Sequence, residues 1–219
     1  MNIAKGTKSW IFTSLFFAFI FLVLFIIFWI FNLEIISSVF LIISALLFLL
    51  TLFFLAFFRD PDRKIGNGIV ACADGKIREI KNLDEKDIGK CIMISTFMNI
   101  HNVHVNRMPL DGKIIDVKSF SGLHLPAFKK ESEKNERVVL NIQTRIGKIK
   151  IILIAGTVAR RIVTYIKKDE TIKKGEKIGI IRLGSRVDVY LPLKSVKKIY
   201  VKVGNRVKAG VDKIAEIND

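Results

Sequence analysis

Two uninterrupted apolar runs open the chain. Trp10 to Phe31 is 22 residues without a charge, and Ile35 to Phe58 is another 24. A helix rises about 1.5 Å per residue, so ~20 residues cross a ~30 Å hydrocarbon core and each run predicts a spanning helix. Asn32, Leu33 and Glu34 between them suffice for a tight connection. A secretory leader has a shorter apolar stretch that ends in small residues at a cleavage site, so the expectation over 1–58 is a two-span transmembrane hairpin. After Arg59 the period changes. Short runs rich in Val and Ile alternate with Gly or Asp-Gly turns, which predicts a mainly β soluble domain over 59–219. Strands are expected at Ile69–Cys72, Lys76–Ile80, Cys91–Ile94, Lys113–Val117, Arg137–Gln143, Ile149–Ile154, Lys177–Ile181 and Val187–Leu191, with a last pair near Val201 and Ile214. Periodicity leaves Ala159–Ile166 open between helix and strand.

Weak internal repeats sharpen the fold class. Asp-Gly-Lys-Ile occurs at 74–77 and again at 111–114, and the segment 173–179 echoes 208–215. Valine-rich strands meeting at glycine turns predict a compact, barrel-like β sandwich with echoes of the hammerhead of biotinyl and lipoyl domains. Those carriers place their attachment lysine in a Met-Lys-Met or Asp-Lys-Ala turn. Neither occurs, and Lys213 stands in Asp-Lys-Ile, so a carrier function is not expected.

Charge then narrows the partners. The chain carries a formal +16, and the first 58 residues hold only Lys5, Lys8 and Glu34, so +15 falls on the β domain. Such a field favours an anionic partner. No aromatic platform is interleaved with the basic residues, so nucleic acid is not expected and an anionic phospholipid membrane is. Lys5, Lys8, Arg59, Arg63 and Lys64 flank the hairpin on one side, against a connecting loop whose charge is Glu34 alone. That asymmetry predicts a two-span protein of the cell membrane with both hairpin ends, and the β domain, on the cytoplasmic face. Trp10 and Trp29 sit near span ends, where amphipathic rings prefer the interface. Cys72 and Cys91 show no metal-site spacing and read as free thiols in a reducing compartment.

The candidate chemistry centres on Gly184-Ser185. A serine behind a glycine can attack the preceding carbonyl, because glycine lets the backbone bend toward the hydroxyl. An N→O shift gives an ester, elimination gives dehydroalanine, and hydrolysis leaves a pyruvoyl group. By itself Gly-Ser is also an ordinary turn dipeptide. Serine attack needs a base, and the domain offers His101, His104 and His124. Asp74 could orient an imidazole as the third member of a triad. No carboxylate or cysteine completes a metal set with His101 and His104, so no metal is expected.

Five separated segments resemble the phosphatidylserine decarboxylase family. They are Phe57-Phe58-Arg59-Asp60-Pro61-Asp62-Arg63, then Ala73-Asp74-Gly75-Lys76, then Asn102-Val103-His104-Val105-Asn106-Arg107. Next come Leu125-Pro126-Ala127-Phe128 with Asn135-Glu136-Arg137, and last Ile154-Ala155-Gly156 through Ala159-Arg160-Arg161 to Gly184-Ser185-Arg186-Val187-Asp188. They span about Phe57 to Pro192 in order. The resemblance implies a serine-headgroup phospholipid decarboxylase, acting on phosphatidylserine or archaetidylserine through a Schiff base with a self-made pyruvoyl cofactor. It implies self-cleavage between Gly184 and Ser185, leaving a heterodimer of fragments 1–184 and 185–219, with higher oligomers left open. Asp74, His104 and Ser185 map onto the family's catalytic residues, His104 onto the first histidine of its histidine-rich segment. Some longer members have a second histidine three residues on, where this chain has Arg107, and the proline often found before Ala-Asp-Gly is here Cys72. Arg160, Arg161 and Arg186 are candidate ligands for the lipid phosphate, since guanidinium matches phosphate oxygens bidentately. The competing expectation is a membrane-anchored hammerhead-type adaptor without catalysis, which would remain one intact chain.

Overall fold

The computed structural model describes residues 2–122, 135–156, 162–182 and 185–218. The chain divides into two compact units, Met1–Pro61 and Asp62–Asp219. In chain order the elements are β1 (Asn2–Ile3), α1 (Lys8–Ile30), α2 (Glu34–Phe57), β2 (Arg59–Asp60), β3 (Ile69–Val70), β4 (Gly75–Glu85) and β5 (Gly89–Met98). There follow β6 (Val105–Arg107), β7 (Gly112–Phe120), β8 (Arg137–Thr144), β9 (Gly147–Ala155), β10 (Ile162–Thr164), β11 (Thr171–Ile172) and β12 (Lys177–Ile181). The last four are β13 (Ser185–Pro192), β14 (Val196–Ile199), β15 (Arg206–Val207) and β16 (Lys213–Ile217).

The first unit is a helical hairpin. Both helices are long and apolar enough to cross a membrane. Asn32 takes φ 56° between them, a left-handed turn that its short polar side chain tolerates. Glu34 opens α2, where a negative charge suits the helix dipole. Few polar side chains join the two helices. Ser44 Oγ donates to the Ala18 carbonyl at 2.8 Å, and Thr51 Oγ1 donates to Ser14 Oγ at 2.9 Å. In an apolar surrounding such bonds contribute about 1 kcal/mol each and fix the register of the pair. Phe12, Phe16, Phe19, Trp29 and Ile35 face outward. The short strands β1 and β2 pair antiparallel and close the hairpin's two ends.

The second unit is mainly β, as the glycine-punctuated pattern predicts. Its centre is a curled, eight-stranded sheet in the order β11-β7-β8-β9-β13-β5-β4-β15. Every pairing in it is antiparallel. Register shifts in β4 near Ile77 and in β7 near Ile114 mark bulges, which bend and twist strands and so help the sheet to curl. Ile77, Ile94, Ile114, Leu140, Ile142, Ile151, Leu153, Val187 and Val189 form the concave core, at the alternate positions one face of a sheet requires. Strand β13 is buried on both faces. Val187, Val189 and Leu191 enter the main core, while Tyr190 joins Cys91 and Met93 in a smaller cluster on the opposite face. Two three-stranded sheets, β10-β12-β6 and β14-β16-β3, complete the unit.

Two expectations change. Residue Val201 lies between β14 and β15 and not in a strand. Lys202 N–H donates to Asn205 Oδ1 at 2.8 Å, and Gly204 takes φ 96°, so a side-chain-capped turn occupies 202–205. In the open stretch 159–166, residues Ile162–Thr164 form strand β10, and 159–161 lie outside the described residues. Both cysteines are free and buried.

Candidate active site

Ser185 is the first residue of β13 and has no exposed surface. It pairs with Met98 of β5 on one side and Ala155 of β9 on the other. Its hydroxyl lies 3.2 Å from Met98 Sδ, to which Asn106 Nδ2 also points at 3.6 Å. A thioether is a weak acceptor, so Ser185 Oγ is held in place without a strong hydrogen bond to dull it.

His104 is fully buried immediately before β6. Its Nδ1 lies 2.9 Å from the Asn102 carbonyl, which can only accept. Nδ1 of the neutral ring therefore carries the proton, and Nε2 is the basic nitrogen. The His104 backbone is tied to the end of β12, and its strand continues to a neighbour of Ser185. The His104 carbonyl accepts from the N–H of Ile181, four residues before Ser185. Two residues beyond it, Asn106 touches the same sulfur as Ser185.

Asp74 sits on the bend before β4, and its described partners are not histidines. Arg63 grips both of its oxygens, at 2.5 and 2.8 Å, and the Ala209 N–H donates to it at 2.8 Å. Arg63 also donates to the Ala209 carbonyl at 2.7 Å. The carboxylate thus ties the segment after Pro61 to the turn after β15. Next to it, Gly75 can have no side chain: a Cβ there would lie 2.1 Å from the Phe97 carbonyl oxygen. That close approach seats Asp74 at the mouth of a groove of about 400 Å³. Lys76, Phe97, His101, Arg206 and Lys208 share its walls. Two residues upstream, burial pushes the Cys72 thiol up to about 12, with a smaller opposing contribution from a backbone hydrogen bond of Arg107.

A family model described as phosphatidylserine decarboxylase matches residues 50–215. A putative archaetidylserine decarboxylase proenzyme of Methanosarcina barkeri is 40% identical over 218 residues, covering 98% of this chain and 98% of the relative. Phosphatidylserine decarboxylase proenzymes of Streptomyces avermitilis and Streptomyces coelicolor are 46% and 47% identical over 159 residues, covering 72% of this chain and 71% and 70% of theirs. The chain belongs to the phosphatidylserine decarboxylase family. The family's expected residues are only partly gathered by the described geometry. Ser185 lies against Met98 and the His104 carbonyl accepts from β12, whereas Asp74 lines the groove. Gly184, Arg160, Arg161, His124 and the segment 125–128 lie outside the described residues. Arg186 is nearly buried and clamps Asp188, Nε to Oδ1 at 2.8 Å and Nη2 to Oδ2 at 2.6 Å. That geometry gives no support to a phosphate contact from Arg186.

His101 is the residue the sequence reading set aside. It lies on the wall of the groove that Asp74 borders, whereas His104 is buried. The signal was available: His101 and His104 are themselves three residues apart, which matches the two-histidine spacing sought at Arg107. Among the described residues no cluster of His, Cys, Asp and Glu has the arrangement of a metal site.

Proposed function

We propose that this chain is a serine-phospholipid decarboxylase that matures by cutting itself between Gly184 and Ser185. The observation that carries the reading is the burial of Ser185 at the head of β13, with His104 held nearby as the Nδ1–H tautomer. In maturation, His104 Nε2 takes the proton of Ser185 Oγ, which attacks the carbonyl carbon of Gly184. The peptide C–N bond gives way to an ester, and β-elimination releases 1–184 as a carboxylate. Loss of ammonia on hydrolysis leaves the new terminus of 185–219 as a pyruvoyl group.

The surroundings of Ser185 suit that small, uncharged group: its hydroxyl meets the Met98 sulfur, which Asn106 also touches. When formed, the group supplies a ketone that condenses with the substrate amine and accepts the electrons left by carbon dioxide. Of the two histidines, His101 faces the groove, and so it is the one placed to return a proton to the substrate carbon. Asp74 remains the carboxylate of the site, held ready by Arg63. The serine headgroup is the part shared by the ester-linked and ether-linked lipids in the relatives' names.

Intact mass of the purified full chain is the direct test. Two fragments should appear, the smaller with a blocked terminus, together with carbon dioxide release from serine phospholipid. An active preparation holding only the 24.9 kDa chain would sink the reading. The basic flanks of the hairpin support a cytoplasmic β domain. Protease added outside intact cells should leave the domain whole, and its removal would reverse that topology.

A further inference from the structure

The groove beside Asp74 carries more positive charge than the fold requires. Lys76 of β4 and Arg206 of β15 are direct cross-strand partners. Like charges placed opposite each other destabilise a strand pair. Lys208 follows two residues after Arg206 and adds a third cation to the same wall. All three side chains are exposed. No described carboxylate lies within ion-pair distance of any of them. Of the groove's two acidic residues, Asp74 is held by Arg63, whereas Asp212, which accepts from the Lys208 backbone N–H at 2.7 Å, keeps its charge against three cations and leaves a positive surplus.

The position fits one ligand. Lys76 faces Phe97 on β5, and Phe97 faces Arg186 on β13, one residue from Ser185. At about 4.8 Å per strand, Lys76 and Ser185 backbones are about 10 Å apart. By alternation Ser185 shares a face with Val187, whereas Lys76, Phe97 and Arg186 share the other, so a headgroup reaching from Ser185 to Lys76 would pass round the end of the sheet at Met98 and Gly75. His101 lines the same groove.

We infer that Lys76, Arg206 and Lys208 form the subsite for the phosphodiester anion of the lipid headgroup. This rests on the decarboxylase reading above. Arg206 offers a planar fork for two phosphate oxygens, and the lysines add point charges. Binding relieves the Lys76–Arg206 repulsion. Two of the three ligands lie in 185–219, so the fragment that carries the new terminus also holds the phosphate.

The test uses the full chain in detergent, with Arg206→Gln, Lys208→Gln, the double variant and Arg206→Lys. Cut fraction by intact mass reports folding and maturation, and should match wild type throughout. KM for a short-chain serine phospholipid should rise about tenfold or more in each Gln variant with kcat nearly unchanged, because the contact is kept from ground state to transition state. Arg206→Lys should fall between. Glycerophosphoserine should inhibit wild type and lose that effect in the double variant. A fully cut double variant with normal KM and normal inhibition would overturn the subsite. Calorimetry separates the two readings. Glycerophosphoserine binding that the double variant loses, in a wild type without turnover, would keep the subsite and remove the decarboxylase. Binding of inorganic phosphate without glycerophosphoserine would assign the groove to free phosphate and overturn the headgroup assignment.

Discussion

Ser185 and His104 are both fully buried, and the roles proposed for them have a sharp readout. His104→Ala should slow self-cleavage by ~10²-fold or more, the usual contribution of a general base. Ser185→Ala should abolish it, and His101→Ala should cut normally yet fail to decarboxylate. Gel bands set beside turnover rates distinguish the three, and an uncut His101→Ala would reassign the base. A second residue-scale expectation concerns Cys72. Its native thiol ionises near 12 because burial disfavours the thiolate, against 9.0 for the exposed group. Between those values the unfolded chain sheds a proton that the native chain keeps. This contribution is therefore full below about pH 9 and is lost as pH rises, at about 1.36 kcal/mol per unit, or about 2 kcal/mol by pH 10.5. Urea midpoints of wild type and Cys72→Ala, compared at pH 8 and 10.5, should show the smaller alkaline loss in the variant.

At the scale of elements, β13 shows what a strand buried on both faces demands. Its residues Arg186 and Asp188 face the same side by alternation, and their ion pair lets two charges lie under the surface. Arg186→Leu leaves the Asp188 carboxylate, 1% exposed, without that guanidinium, and should cost about 3–5 kcal/mol. Adding Asp188→Leu should recover most of it, as urea midpoints of the single and double variants would show. This pair was missed in the sequence, where the strand was expected from Val187 and Arg186 was a candidate phosphate ligand; starting the strand at Ser185 puts Arg186 and Asp188 on one face. The long strands β4, β5, β8 and β9 were legible, since their apolar residues recur or run together between glycines. The strands β6, β10 and β11 were not, because two or three residues carry no period. Nor was the Arg63–Asp74 clamp, which joins segments 11 residues apart through a turn near Ala209. His101 had its three-residue spacing to His104 as a signal, but the role proposed for it rests on a groove that folding assembles from β4, β15 and the loop after β5.

For the whole molecule, the placement of β13 matters most. All eight of its residues pair with β5, and Ser185–Tyr190 pair also with β9. Downstream, β15 joins β4 and β16 joins β3. The segment 185–219 is therefore stitched into two sheets by strands from the other side of the proposed cut. Scission at its head would create two new chain ends and leave the described ladders in place, so both pieces should travel together through purification. Unfolding is where the two forms part company. An uncut Ser185→Ala chain refolds as one molecule, at a rate indifferent to dilution. The cut protein must find its missing middle strand among separate molecules in solution, a second-order encounter that slows in proportion to dilution. Native activity would then be a property that the cell can make once from the precursor but only poorly remake.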